Sequence, residues 1–281
     1  MKGNMMIKRP VEQIYKGLTH AGVFHADDVF ATALLKLLFP NIEIERSNDV
    51  PENYEGIVYD IGFGRYDHHQ QDKEYREDGR AYAAFGLLWR EYGECFLCAE
   101  DAAYFDKKFV APLDNADNTG KRVQLSTIIG DFRPNDIDES GMDLAFDEAV
   151  SFAQGILVRR LHTINYQREC FRYVRGIAEK TDDRILYLEE FMPWKDALAK
   201  THIDYVVYKS ARGGYNIQNV PKLRDGKTVE ALFPEEWRGR TQEELRSLTG
   251  IDDFIFCHSG GHICATGSYK SAKKVTELLI G

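Results

Sequence analysis

The chain has 281 residues, 43% of them hydrophobic and 29% charged, with a formal net charge of −9. This is the composition of a soluble globular protein of one large or two ordinary domains, with no apolar run near the ~20 residues that cross a bilayer. The acidic balance excludes a general nucleic-acid coat, and residues 185–281 hold equal numbers of acidic and basic side chains, so the whole excess falls on the first 184. Five cysteines show no disulfide rhythm, and the opening Met1 to Pro10 has basic residues but no apolar core. A reduced, cytoplasmic setting is therefore expected.

In chain order, Ile14 to Leu18 reads as a short strand. A loop over Thr19 to Asp28 follows, and then Val29-Phe30, Ala33-Leu34 and Leu37-Leu38 repeat at helical spacing. Pro40 stops that helix. Residues 41–46 alternate as a strand, and Gly56 to Gly62 is a buried apolar strand with Asp60 near its C-terminal end. Strand, helix, strand in this order predicts a parallel sheet, whose sites form at the carboxyl ends of its strands.

Residues 81–92 and 101–111 read as helices, and Pro112 to Gly120 as a carboxylate-bearing loop. A long helical pattern over about 143–180 marks a connector to a second lobe that starts near 184. There, Tyr205 to Tyr208 and Tyr215 to Gln218 are strands joined at Gly213-Gly214. Thr241 to Glu244 is a capping box, Phe254 to Cys257 a strand, and 269–280 a helix. This divides the chain into 1–142, 143–183 and 184–281.

Four of the eight histidines stand beside carboxylates in two short stretches. One is Thr19-His20-Ala21-Gly22-Val23-Phe24-His25-Ala26-Asp27-Asp28; the other is Tyr66-Asp67-His68-His69-Gln70. Imidazole and carboxylate are the ligands of metals of intermediate hardness, and two clusters on separate loops suggest a site for a metal pair. Such a site needs a bridging carboxylate and terminal ligands. His20, His25, Asp27, Asp60, His68, His69 and either Asp114 or Asp117 supply those parts. Asp28 reads as a helix N-terminal residue that favours the dipole. Cys95-x-x-Cys98 has no second pair and reads as two buried thiols. Trp194 and Trp237 read as packing residues, and His162 and His202 as surface residues.

These motifs resemble the DHH phosphoesterase superfamily, and more closely its MYG branch, the melanocyte-proliferating-gene or UPF0160 proteins. Similarity continues through Pro193-Trp194-Lys195, Asn219-Val220-Pro221-Lys222, Glu236-Trp237-Arg238-Gly239 and Phe256-Cys257-His258-Ser259-Gly260, and so covers nearly the whole chain in order. The resemblance implies an α/β fold: a DHH-like catalytic lobe with a parallel sheet, a smaller DHH-associated-like α/β lobe, and a site in the cleft between them. It implies a metal-ligand set of His20, His25, Asp27, Asp60, His68 and Asp117, with Asp60 bridging. His25 stands where most of the superfamily has Asp, as in the rest of the branch. Asp67 would support His68, and His69 would face the scissile phosphate. Asp117 is preferred to Asp114 because Asp117-Asn118-Thr119-Gly120 resembles the fourth motif.

In the tail, Ser259-Gly260-Gly261-His262, followed by Ala265-Thr266-Gly267, resembles the glycine-rich loop of the associated domain. Gly260, Gly261, His258 and His262, with Lys195, Lys222 and Arg238, are the expected substrate contacts. The implied activity is a two-metal phosphodiesterase, with manganese first and magnesium or another divalent ion as alternatives. It would act from the 3′ end of single-stranded RNA or short oligonucleotides. The alternatives are a small-molecule phosphohydrolase consuming pyrophosphate or a cyclic dinucleotide, and a non-catalytic metal- or nucleotide-binding protein.

Overall fold

The computed structural model describes residues 7–11, 13–135, 139–224, 227–229 and 232–281, so most of the basic opening lies outside it. The chain is mixed α/β and divides into two compact units, Met1–Tyr166 and Gln167–Gly281.

The first unit is built on three parallel strands, β1 (Lys16–His20), β2 (Glu43–Ser47) and β3 (Ile57–Val58), in the order β2-β1-β3. Helix α1 (Ala26–Leu38) connects the first two and is buried along nearly its whole length. Its apolar residues pack on every side, against the neighbouring helices α2 (Ala84–Tyr92), α4 (Ala111–Thr119) and α5 (Gln124–Gly130). Between α2 and α4 lie α3 (Ala99–Phe105) and one π-helical turn, Asp106–Val110. Aromatic rings fill the space between them. Phe30 meets Phe109 edge-on at 5.5 Å, and Trp89 stacks on Phe105 at 4.6 Å. Such pairs add about 0.5–1.5 kcal/mol each beyond their area burial.

The stretch 112–120, expected as a loop, is helical. Pro112 directly follows the π-helical turn Asp106–Val110, in the first turn of α4, and Gly120 closes the helix at φ +69°. Burial of Leu113, Asp114 and Ala116 overrides the turn-rich composition. The first strand begins at Lys16 rather than Ile14. Cys95 is half-buried and Cys98 exposed, so they are not the pair of buried thiols expected.

Helix α6 (Glu139–Ala178) runs 40 residues. Phe146, Val150, Ala153, Leu157, Leu161 and Ile164 belong to the core of the first unit. Val174 and Ala178 belong to a core of the second.

The second unit is a five-stranded mixed sheet, β4 (Ile185–Leu188), β5 (Tyr205–Lys209), β6 (Tyr215–Asn219), β9 (Phe254–Cys257) and β10 (Ile263–Thr266), in the order β4-β5-β6-β10-β9. Strands β7 (Lys222–Arg224) and β8 (Lys227–Val229) form a separate pair. Strand alternation sends Ile185, Tyr205 and Val207 to one apolar layer and Leu186, Val206 and Tyr208 to the other. The first layer holds Leu245 of α8 (Gln242–Thr249) and Val275 of α9 (Tyr269–Ile280); the second holds Trp194 and residues of α7 (Lys195–Leu198). Ala265 and Thr266, expected in a loop, are ladder residues of β10. The turn at Gly213-Gly214 needs glycine: Gly214 sits at φ +72°, and a Cβ there would meet the Thr266 carbonyl at 2.2 Å. No helix among the described residues is long and apolar enough to cross a membrane.

Candidate metal centre

Strand β1 ends at His20, and β3 ends two residues before Asp60, so both side chains reach the carboxyl edge of the parallel sheet. Asp60 has φ +58°, a left-handed conformation that L-residues rarely adopt. Its N–H donates to the Tyr66 carbonyl at 3.0 Å, which folds 61–66 back so that Asp67-His68-His69 lies beside it. Tyr59 donates to Thr32 Oγ1 at 2.6 Å, and Thr32 donates to the Asp28 carbonyl, tying this corner to α1.

Each buried imidazole is oriented by its outer nitrogen. His20 Nδ1–H donates to the Ala21 carbonyl at 2.9 Å, which leaves Nε2 aimed at Asp28 Oδ2 and Asp60 Oδ2, both at 3.3 Å. His68 Nδ1–H donates to Asn118 Oδ1 at 3.3 Å. The Asn118 amide is fixed because its NH2 donates to the carbonyls of Tyr82 and Asp114, while Lys73 donates to its oxygen. His68 Nε2 then faces Asp60 Oδ1 at 3.1 Å, Asp117 Oδ2 at 3.3 Å and Asp27 Oδ2 at 3.6 Å. These atoms are close but misaligned for hydrogen bonding. Both Asp27 oxygens, Asp28 Oδ2, Asp60 Oδ1 and His68 Nε2 are buried without a hydrogen-bond partner. Buried polar atoms are almost always paired. Five such atoms converging in one place could hold a metal ion.

The electrostatics agree. Burial and neighbouring carboxylates push Asp27 well above the usual range, and burial pushes Asp28 up to about 7. Burial also opposes ionisation of Asp60, but the His20 and His68 imidazoles outweigh it and hold its carboxyl down to about 2. Burial disfavours the charged form of His20, yet Asp60 and Asp28 raise it to about 9. His68 is likewise raised against its burial, chiefly by Asp60. Protons thus stand where cations would neutralise the same charge.

Three groups bring ligand atoms within 4.8 Å of one another: His20, Asp28 and Asp60; Asp60, His68 and His69; and His25, Asp27 and Asp117. His20 and His25 fall in different groups. The His25 N–H donates to Asp28 Oδ1 at 2.8 Å, which directs the other Asp28 oxygen to His20 and leaves His25 with Asp27 and Asp117. Asp28, read as a helix N-terminal dipole residue with a supporting role behind the ligands left open, therefore has two tasks. Asn118, Lys73, Arg122 and Arg133 were missed altogether; the one available signal was that Asn118 follows Asp117 directly.

Asp67 Oδ1 accepts from the His69 N–H at 3.1 Å and lies 2.8 Å from His69 Nδ1, and its Oδ2 accepts from the Phe63 N–H at 2.7 Å. The His69 ring is 56% exposed, with Nε2 left free by this anchoring. Asp114 is elsewhere: it is fully buried, 2.7 Å from Arg76 Nη2, and accepts from the Gly86 N–H. Burial raises its carboxyl to about 7 even against Arg76. Arg76 also grips Asp106 through Nε and Nη2, at 2.7 and 2.8 Å. Arg76→Met is expected to cost about 3–5 kcal/mol of unfolding free energy by leaving buried Asp114 unpaired. Urea denaturation checks this, and a loss under 1 kcal/mol would contradict the account.

The centre opens into a cleft of about 1000 Å³ lined also by Arg122, Ser126, Thr127 and Arg133. A site between two lobes was expected; every residue lining this cleft belongs to the first unit. In the second unit, the β9–β10 turn holds exposed His258 and His262 with ring centroids 4.3 Å apart. The Gly260 N–H donates to His258 Nδ1, and Gly261, at φ +67°, lies against Arg238, whose Nε donates to the Phe233 carbonyl. Lys195 is exposed beside Trp194. Lys222 is committed within the unit, to the carbonyls of Thr201 and Ile203 and, at 3.6 Å, to Asp204.

The family model for MYG1 proteins, described as an uncharacterised protein family (UPF0160), matches residues 16–280. The chain belongs to the MYG1 family. It is similar to the MYG1 protein of Chlamydia pneumoniae, at 29% identity over 93% of this chain and 95% of that one. The MYG1 protein of Saccharomyces cerevisiae is 26% identical over 92% and 93% of the two chains. A Mus musculus relative named MYG1 exonuclease is 28% identical over 91% and 83%. All the centre's ligand atoms lie inside the span that the MYG1 model matches.

Proposed function

We propose that this MYG1 family member is a two-metal phosphodiesterase of DHH type, acting as a 3′–5′ exonuclease on single-stranded RNA or short oligonucleotides in the cytoplasm. The observation that carries this reading is the convergence of unpartnered, buried carboxylate and imidazole atoms from three separate segments. The exonuclease names of its rodent relatives support it.

Asp60 belongs to two of the three ligand groups, so it is the carboxylate that would be shared between two ions. His20 and Asp28 would hold one ion with it, and His68, Asp27 and Asp117, with His25 beside them, the other. Manganese is the first expectation and magnesium the alternative. A pair of divalent cations lowers the pKa of water and offsets phosphoryl charge during in-line displacement. Asp67 orients His69, whose free Nε2 can hand a proton to the departing oxygen. Arg122 and Arg133 line the same cleft and supply fixed positive charge for phosphate oxygens. The cluster of Arg238, His258, Gly260, Gly261 and His262 is proposed to hold the substrate's end, with exposed Lys195 as a further cation. Lys222, already committed to carbonyls, acts through the structure of its unit.

The test is hydrolysis of 3′- and 5′-labelled oligoribonucleotides with manganese. Mononucleotides should leave from the 3′ end. A second reading, small-molecule phosphohydrolase, is favoured by a cleft of small-ligand volume confined to one unit. Consumption of pyrophosphate or a cyclic dinucleotide with oligonucleotides left intact would establish it instead. Asn118→Ala is expected to weaken manganese binding about 10–100-fold, because His68 loses its anchor. Titration calorimetry reads this, and an unchanged affinity would assign Asn118 to packing alone.

A further inference from the structure

We propose that Phe63 is a stacking platform for a nucleobase at the mouth of the cleft, which makes the ligand a nucleotide rather than a bare phosphate ester. The inference rests on the reading of the centre as a phosphodiesterase site and names what that site recognises.

Three observations meet at this residue. Phe63 lines the cleft together with His69 and Asp60, yet its side chain is among the most exposed large apolar groups, at 70%. Burial therefore does not account for an aromatic ring here. Its backbone sits at φ +53°, which costs a non-glycine residue about 1–3 kcal/mol. Glycine, which takes this conformation without strain, already occupies both neighbouring positions, Gly62 and Gly64. Finally, the strain is held by the site itself. The Phe63 N–H donates to Asp67 Oδ2, and Asp67 Oδ1 holds His69. One carboxylate thus anchors both the Phe63 backbone and the His69 imidazole beside the ligand cluster. An exposed aromatic side chain lining the same cleft as a phosphate-handling centre suits a base, and base stacking is tolerant of sequence because every base has a π-face.

The test compares AMP with ribose 5-phosphate by titration calorimetry in the presence of manganese, using the full chain. The wild type should bind AMP about tenfold more tightly. Phe63→Gly, which accepts the left-handed backbone and removes only an exposed ring, should abolish that difference while leaving ribose 5-phosphate affinity unchanged. Phe63→Trp should keep it. Equal affinities in the wild type, failure of AMP to bind, or a preference that survives in Phe63→Gly would each overturn the proposal. A protein that discriminates through Phe63 but cleaves no oligoribonucleotide keeps this inference and ends the exonuclease reading.

Discussion

Asp60→Asn is expected to abolish manganese-dependent cleavage, lowering the turnover rate by at least about 10³-fold. The substitution is nearly isosteric, so the left-handed turn and its hydrogen bond from the Asp60 N–H to the Tyr66 carbonyl should survive. What disappears is the charge. Asp60 faces His20 and His68 with different oxygens, at 3.3 and 3.1 Å, and it alone is shared by two ligand groups. An amide offers one weakly donating oxygen and an NH2 that repels a cation. The far-ultraviolet circular dichroism should match wild type, which separates loss of chemistry from loss of fold. A variant keeping a tenth of wild-type turnover would show that Asp60 is not the shared ligand.

The second large effect concerns stability and pH. His20 is raised from 6.5 to about 9, so the stability it contributes is fully present below pH 6.5 and lost as pH rises through about 9. Asp28 is raised from 3.8 to about 7; the folded protein holds a proton that the unfolded chain releases, so its penalty begins above pH 3.8 and grows to about 7. Asp27 shifts in the same direction. Asp60, lowered from 3.8 to about 2, contributes above 3.8 and loses that contribution only as pH falls through about 2. Through these groups the metal-free protein loses stability steadily from pH 5 to 9. Cations should reverse the loss, because binding displaces the same protons. At a hundredfold excess over the dissociation constant, manganese contributes about 2.7 kcal/mol, or about 5–10 °C in a chain of this size. The gain should be larger at pH 8.5 than at pH 6. Thermal scans at the two values read it, and a manganese effect that shrinks with pH would contradict the charge assignment.

Much of this was legible in residue types and spacing. Asp60 could be placed near a strand end because the apolar run 57–59 breaks at it, and helix 269–280 because its periodicity is unbroken; His20, read in the loop after Leu18, is instead the last residue of β1. The ligand partition was not legible. It depends on a single backbone donation, His25 N–H to Asp28, which turns one carboxylate toward His20. Helix α4 was hidden because Pro112, Asn115, Asn118 and Gly120 are turn formers; tertiary burial of Leu113 and Asp114 decides against local preference. The roles of Arg122 and Arg133 were invisible for a simpler reason. Arg122 follows the 117–120 stretch without belonging to its pattern, Arg133 stands near no motif, and only folding brings the two to one cleft.

The claim on which the rest depends is that these carboxylates and imidazoles hold a pair of cations. Equilibrium dialysis against manganese, followed by elemental analysis of the protein, measures it directly. The account predicts close to two manganese ions per chain; a chain that retains none would contradict it.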